Sequence, residues 1–542
     1  MSVYGIDLGT TYSCIATLDV NGNPKIIQNV LDSSDTLASA LYFENPNNVI
    51  IGNSAKEYVE TDGPKVIQYI KREIGKEHIY EPHNIFGHDY TPVEISALIL
   101  KRIKEMAEEQ GEQVEDVIIT VPAYFGFKER ELTKKAGEIA GLNVIDLINE
   151  PTAAALNYCS RQFQEEKTVL VYDLGGGTFD VTIVKMSMVT DDEGNEIQKV
   201  KIVATGGDDL LGGKDWDDIL YEKLVNSFCD ENGLNDTDLD IDVRQSIRSK
   251  VESTKIKLSH ADSAIVKVKA DGQMTRIEIT RSEFEEITKE LVDKTMVYVE
   301  ETLKRAETRE AVNIDLVLLV GGSTFMPMIK NAVENRFPGI VRLEDPNKAV
   351  AKGAAIYASI CVEPEPGPTP EPGPTIDSVK QRQKTEVDDV SPRTFGPGII
   401  FGEEYLIDNL VMEGDYIGNL VQKTYGTIVD NGEKIVLRVF ESHSKEKTCI
   451  PCLDMEGKPQ NTDPSLGVKY LGEMELPLSG CSPAGTPIYV DFTVKNTGIK
   501  IKCTDSFTMN SQEAVIKFSD SISDDDVEKY KAKIDQIGTY SE

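Results

Sequence analysis

Two hydrophobic periods alternate up to about Ile360. Runs rich in β-branched residues ("VEDVIITVPAYF", "KTVLVYD", "FDVTIVKM", "IDLVLLVGG") read as buried strands. "FKERELTKKAGEIAG", "PTAAALNYCSRQF" and "RSEFEEITKELVDKTMVYVEETLKRA" carry apolar residues at helical spacing. That mixture predicts an α/β domain over 1–360. The pattern breaks at "EPEPGPTPEPGPT", Glu363 to Thr375, where proline recurs every second residue. Such a stretch cannot build a core and prefers extended polyproline II, so 361–389 is read as a linker, the proline run alone spanning roughly 40 Å when extended. From 390 to 520, short alternating segments punctuated by turn signals, Asn431-Gly432 and Asn496-Thr497-Gly498, predict an antiparallel β domain. The tail "SISDDDVEKYKAKIDQIG" offers Ser523 as an N-cap and three aspartates in the first turn, which predicts one short helix within 521–542.

Length and charge then narrow the partners. A chain of 542 residues exceeds one hydrophobic core. Its formal charge of −35 repels a phosphate backbone, so nucleic acid is excluded as a partner, while a local basic site can still hold a small anion. "MSVYGIDLGT" lacks a basic then apolar leader, and no run reaches membrane-spanning length. The expectation is a cytoplasmic monomer with no membrane partner. Eight scattered cysteines suit buried thiols better than a disulfide framework; "CIPC" at Cys449 to Cys452 has no second pair at zinc-site spacing. His78, His83 and His88 recur every fifth residue, which does not align on one helix face, so they read as loop residues.

The chemistry concentrates in two glycine turns. "YGIDLGTTYSC" and "VYDLGGGTFDV" each place an aspartate at a strand end, then glycine, then threonine. A turn without side chains lets backbone N–H groups converge on an anion, and a neighbouring hydroxyl and carboxylate serve phosphate oxygen and hydrated Mg²⁺. One such turn is a weak signal; two suggest a duplicated fold gripping a polyphosphate from both sides. "GGDDLLGGKD" has the wrong glycine spacing for a Walker loop.

These turns, with "IITVPAYFGFKERELTKKAGEIAGLNVIDLINEPTAAALNY" between them and "ATGGDDLLGGKDWDD", "VESTKIKLS", "LVLLVGGST" and "AVAKGAAIYAS" beyond, resemble the ATPase domain of the seventy-kilodalton heat-shock chaperone family, in the actin-like ATPase superfamily. "DDVSPRTFGPGI", "IVDNGEKIVLRVFES" and "LGEMELPLSG" resemble its β-sandwich peptide-binding domain. The resemblance implies an α/β actin-like ATPase domain duplicated into two lobes, then an antiparallel β-sandwich and a short C-terminal helix, a remnant of the family's lid. It implies slow hydrolysis of ATP to ADP with Mg²⁺, and K⁺ as a further ion, and a chaperone that binds extended hydrophobic segments of unfolded polypeptide with co-chaperones. Lys71, Glu150, Asp173, Asp7 and Thr178 then correspond to the catalytic set, and Asp7, Glu150 and Asp173 to the holders of hydrated Mg²⁺. Gly9, Thr10, Thr11, Tyr12, Gly175, Gly176, Gly177, Gly213, Gly321, Gly322 and Ser323 correspond to the nucleotide's surroundings, with Glu252, Lys255 and Ser259 at the ribose. Ile400, Tyr425, Ile435, Leu437 and Val494 correspond to the peptide cleft.

Several positions depart from the family. Ile256 and Phe325 stand where two arginines sandwich adenine, and Asn347 stands for an aspartate; an aliphatic and an aromatic side chain still clamp a purine by dispersion and stacking. The stretch from Lys71 to Val117 is shorter than the family's lobe. A polyproline spacer replaces the leucine-rich linker whose side chains dock, which predicts weak or differently built coupling. Glu403 falls near an apolar arch position, and a truncated lid predicts fast peptide release. Two readings stay open: a coupled ATP-dependent chaperone, and a nucleotide-binding adaptor whose β domain recognises a dedicated partner. An actin-like filament or small-molecule kinase shares the ATPase fold but explains neither the β domain nor "NEPTAAAL".

Overall fold

Each glycine turn sits in a sheet built the same way. In the first, Tyr4–Asp7 runs parallel to Asp116–Val121 on one side and antiparallel to Tyr12–Leu18 on the other, so the turn at Gly9 joins the hairpin. In the second, Lys167–Leu174 runs parallel to Leu316–Val320 and antiparallel to Phe179–Thr190, with Gly175 to Gly177 in the turn. Asp7 and Asp173 therefore end equivalent central strands, at the carboxyl edge where open α/β sheets bind ligands. The computed structural model describes residues 3–30, 33–76, 82–162, 166–190, 194, 196–270, 273–362, 385–402, 404–430, 432–446, 450–451, 467–478, 483–496, 498–516 and 522–541. The proline run, His78, Glu403, Asn431, Cys449, Cys452 and Thr497 lie outside the described residues.

The chain divides into a first unit of Met1–Tyr124, Thr133–Val387 and Asp524–Glu542 and a second of Phe125–Leu132 and Asp388–Ser523. In the first unit the two sheets hold, among the described residues, six strands each. Helices Glu150–Gln162 and Ala349–Cys361 cross closely enough that a Cβ on Gly353 would lie 1.7 Å from the Ala153 carbonyl oxygen, so only glycine fits there. A core around Trp216, Phe228 and Phe284 fills the second lobe. No helix of the described residues is long and apolar enough to cross a membrane.

The linker and tail differ from expectation. The linker's last residues, Thr385–Asp388, form the edge strand beside Glu196–Asp208 in the second sheet, with Thr385 donating to Gln198 at 3.3 Å. The helix read as a lid remnant, Asp524–Asp535, belongs instead to the first unit, against helix Pro92–Glu108. Its apolar residues Val527 and Ile534, with Ile537 beyond it, are buried there, which chain order after the sandwich does not announce.

Among the described residues the second unit has two antiparallel sheets. Ile450–Pro451, Glu404–Ile407, Thr394–Phe401, Lys434–Ser442 and Lys469–Pro477 form one, and Val421–Gly426, Pro487–Lys495, Gly498–Asp505 and Ser511–Ile516 the other. Inward residues such as Phe395, Val439, Leu471, Phe492 and Ile501 share one core cluster, as a strand period of two dictates.

Candidate functional site

A cavity of about 390 Å³ lies between the two lobes of the first unit, and its lining gathers most of the residues singled out above. At one end the turns meet. A Cβ on Gly176 would come within 1.8 Å of the Thr11 hydroxyl, and one on Gly177 within 2.5 Å of Thr10, so a glycine is required where the jaws touch. Hydrogen bonds hold both turns. Gly9 N–H donates to Ser13 Oγ (3.1 Å), the Ser39 hydroxyl donates to the Gly9 carbonyl (2.8 Å), and Gly175 N–H donates to the Thr178 carbonyl (3.0 Å). Gly175 is braced from behind: its carbonyl accepts from Gly213 N–H (2.9 Å) and the Ser323 hydroxyl (2.8 Å). Gly213 therefore props the loop, and it and Gly177 are not among the cavity's lining residues.

The residues that the resemblance assigns to catalysis converge at this end. Lys71 comes from a 3₁₀ turn, Ile70–Glu73, is 3% exposed and pairs with Glu150 at the start of its helix. Asp7 accepts from the Thr120 hydroxyl at 3.0 Å. Burial, then the Glu150 carboxylate, pushes Asp7 up to about 7, against Lys71 and that hydroxyl. Burial, then Glu150, Asp180 and Asp7, raises Asp173 well above the usual carboxylate range. These are acids held off their charged form by burial and by one another. No three His, Cys, Asp or Glu side chains of the described residues stand close enough to ligate a metal directly. Asp180 Oδ2 is buried with no hydrogen-bond partner. Oxygen-only donors set apart, with a buried unpartnered carboxyl oxygen among them, fit a hard cation that keeps waters of its own, as Mg²⁺ does.

Sequence reasoning missed two residues here. Asp180 is buried opposite Asp173 across the hairpin, with Ala123 N–H donating to it at 3.1 Å. Arg72 donates through Nε to the Gly177 carbonyl (2.8 Å) and through Nη2 to Asp215 (2.6 Å), bracing the second turn. The signals were the second aspartate of "DLGGGTFD" and the arginine beside Lys71.

The opposite end is open and neutral. Ile256 and Phe325 line it at 49% and 40% exposure, with Gly321, Gly322, Asn347 and, unforeseen, His260. The polar residues between the ends already have protein partners. Lys56 donates to Glu252 at 2.7 Å and to the Tyr12 hydroxyl at 3.2 Å. Lys255 donates to Asp217 (2.7 Å) and the Gly213 carbonyl (2.9 Å), and the Ser259 hydroxyl to the Lys255 carbonyl (3.3 Å). Burial raises Asp217 to about 6, with Lys255 opposing.

The cleft positions of the second unit do not share one face. Leu437 (7% exposed) and Val494 (3%) belong to the sandwich core, because on an alternating strand core and cleft residues carry the same pattern. Tyr425 and Ile435 are half-buried against that core, Tyr425 donating to Asp408 at 2.7 Å, while Ile400 is 49% exposed.

Compared with known protein families, residues 3–539 match the model described as Hsp70 protein.

Proposed function

Since this chain belongs to the Hsp70 family, whose members are ATPases that bind ATP or ADP with Mg²⁺ and engage unfolded polypeptides and co-chaperones, we propose that it is an ATP-dependent chaperone. In this reading the first unit hydrolyses ATP slowly, and the sandwich holds extended hydrophobic segments. One observation carries it: Lys71, Asp7, Glu150 and Asp173 come together at the end of the cavity where both glycine turns meet.

Phosphoryl transfer to water needs positioning and charge stabilisation rather than covalent chemistry by the protein. The turns at Gly9–Tyr12 and Gly175–Thr178 cradle the phosphates. Lys71 stabilises charge on the transferred group, and the Glu150 carboxylate orients the attacking water and accepts its proton. Asp7, Glu150 and Asp173 would hold Mg²⁺, which would supply charge neutralisation; K⁺ is a further ion of this reading. Ile256 and Phe325 clamp the base through dispersion and stacking.

The adaptor reading draws on the sandwich, where Leu437 and Val494 serve the core, and on the open base end. Purified chain mixed with Mg·ATP should release phosphate slowly, and an extended apolar peptide should leave faster with ATP than with ADP. No hydrolysis above blank defeats the enzyme reading. Hydrolysis with equal off-rates favours the adaptor.

A further inference from the structure

The tail is built into the first unit more firmly than a lid remnant needs. Lys533 on helix Asp524–Asp535 donates to Glu94 at 2.7 Å and lies 4.0 Å over the Tyr90 ring. Glu94 is also the capping-box carboxylate of helix Pro92–Glu108. Lys101 caps the tail helix's end, donating to the carbonyls of Ile534 (3.0 Å) and Ile537 (2.8 Å), and Ile534 is fully buried. The chain then turns into strand Gly538–Tyr540, which pairs in parallel with Asn48–Ile51: Gly538 with Asn48, Thr539 with Val49, Tyr540 with Ile50.

That strand becomes the edge of a four-stranded sheet, in the order Gly538–Tyr540, Asn48–Ile51, Ala40–Asn45, Val66–Gln68. Both far strands run directly into the site. Val66–Gln68 leads through Tyr69 into the 3₁₀ turn that carries Lys71. Ala40 follows Ser39, whose N–H donates to the Thr11 carbonyl (2.8 Å) and whose hydroxyl donates to the Gly9 carbonyl. The chain therefore leaves the first unit for the sandwich and returns to complete a sheet, with two strands between its own and the one that leads to Lys71.

We propose that Asp524–Tyr540 is a strap that makes the β domain an insertion in the ATPase unit and acts as a positioning element for hydrolysis, through the sheet carrying Lys71 and the Gly9–Tyr12 turn. This rests on the ATPase reading above.

The test uses hydrogen exchange and kinetics on the full chain, wild type against Lys533→Glu/Ile537→Asp. Amides of Asn48–Ile51 and Gly538–Tyr540 should be protected in the wild type and lose about tenfold or more of that protection in the variant. Amides of Val66–Glu73 and Gly9–Tyr12 should loosen with them. kcat should fall about tenfold, since small misplacement of a catalytic group is costly, while the KM for ATP stays within about twofold. Lys533→Arg should restore both readouts when it replaces glutamate in the single variant. Should the double variant fail to fold, the wild-type sequence is cut after folding at a protease site inserted after Phe518, and the tail peptide should remain bound on gel filtration. A freed peptide, unprotected wild-type strands, or lost protection with unchanged Val66–Glu73 amides and unchanged kcat would overturn the proposal. A wild-type chain without hydrolysis overturns the ATPase reading instead, and the exchange pattern at Val66–Glu73 still decides the strap.

Discussion

The cavity of the first unit and the core of the sandwich bury opposite kinds of side chain. Around the cavity, Lys71, Asp173 and Asp180 are taken out of water and Asp7 partly so, and burial holds the three aspartates above their ordinary range. In the sandwich, Leu437, Val439, Phe492 and Val494 are buried, and burial there is favourable by itself. Buried charge that the fold does not fully compensate is explained by what binds it. Buried hydrocarbon on an alternating strand explains stability and leaves binding open. The two regions therefore need different experiments: chemistry in the first, a split between stability and affinity in the second.

The sharpest test on the charged side is Lys71→Ala. Removing the ammonium leaves Glu150 and Asp7 without their buried cation and takes away charge stabilisation at the transferred phosphate. Turnover should fall roughly 10²- to 10³-fold or more, while Mg·ADP affinity, set also by the turns and the base clamp, changes far less. Single-turnover hydrolysis with calorimetric ADP binding measures both. Wild-type turnover in the variant would break the comparison at its strongest point.

On the apolar side the matching change is Leu437→Ala. At 7% exposure within the sandwich core it should cost about 2–5 kcal/mol, read as a shift in the urea midpoint of the second unit. A loss below about 1 kcal/mol would return Leu437 to the cleft assigned from the resemblance.

The same contrast explains what could be read in advance. Asp7 and Asp173 were legible because the pattern of strand-end aspartate, glycine turn and threonine occurs twice, and its repetition implied duplication. Lys71 and Glu150 were legible only through the family pattern; as lone residues they read as a surface charge and a helix-start acid. Asp180 needed the hairpin register that sets it opposite Asp173. Leu437 and Ile400 could not be separated, because a period of two says which residues share a face and not which face is covered. The strap was the least legible element. Its decisive pair, Lys533 with Glu94, joins positions hundreds of residues apart, and the helix pattern names no partner.

Acidity gives a smaller, signed test. Asp7 is raised from 3.8 to about 7, so the protonated folded form is favoured. Its contribution to stability is fully present below 3.8 and is lost as pH rises through about 7. The unliganded first unit should therefore gain stability from this group on going from pH 8 to pH 5. Binding of Mg·ADP near pH 7 should expel protons from the site, Asp7 among their sources. Calorimetry in buffers of different ionisation enthalpy detects it, and Asp7→Asn should reduce the release. Proton uptake would contradict the stated environment.

The smallest expected change in stability is at Ile400, and it is the cleanest probe of the sandwich surface. Its side chain is 49% exposed, so truncation to alanine removes little buried area and should alter stability by no more than about 0.5 kcal/mol. If Ile400 meets an extended apolar peptide, the same truncation forfeits contact made only in the complex, roughly 1–2 kcal/mol or five- to thirtyfold in affinity. Leu437→Ala destabilises the unit and Ile400→Ala leaves it intact, so a loss of peptide affinity in the second cannot be ascribed to unfolding. Unchanged affinity for extended apolar peptides would move recognition off the Thr394–Phe401 strand and favour the adaptor reading, in which a dedicated partner meets a different surface.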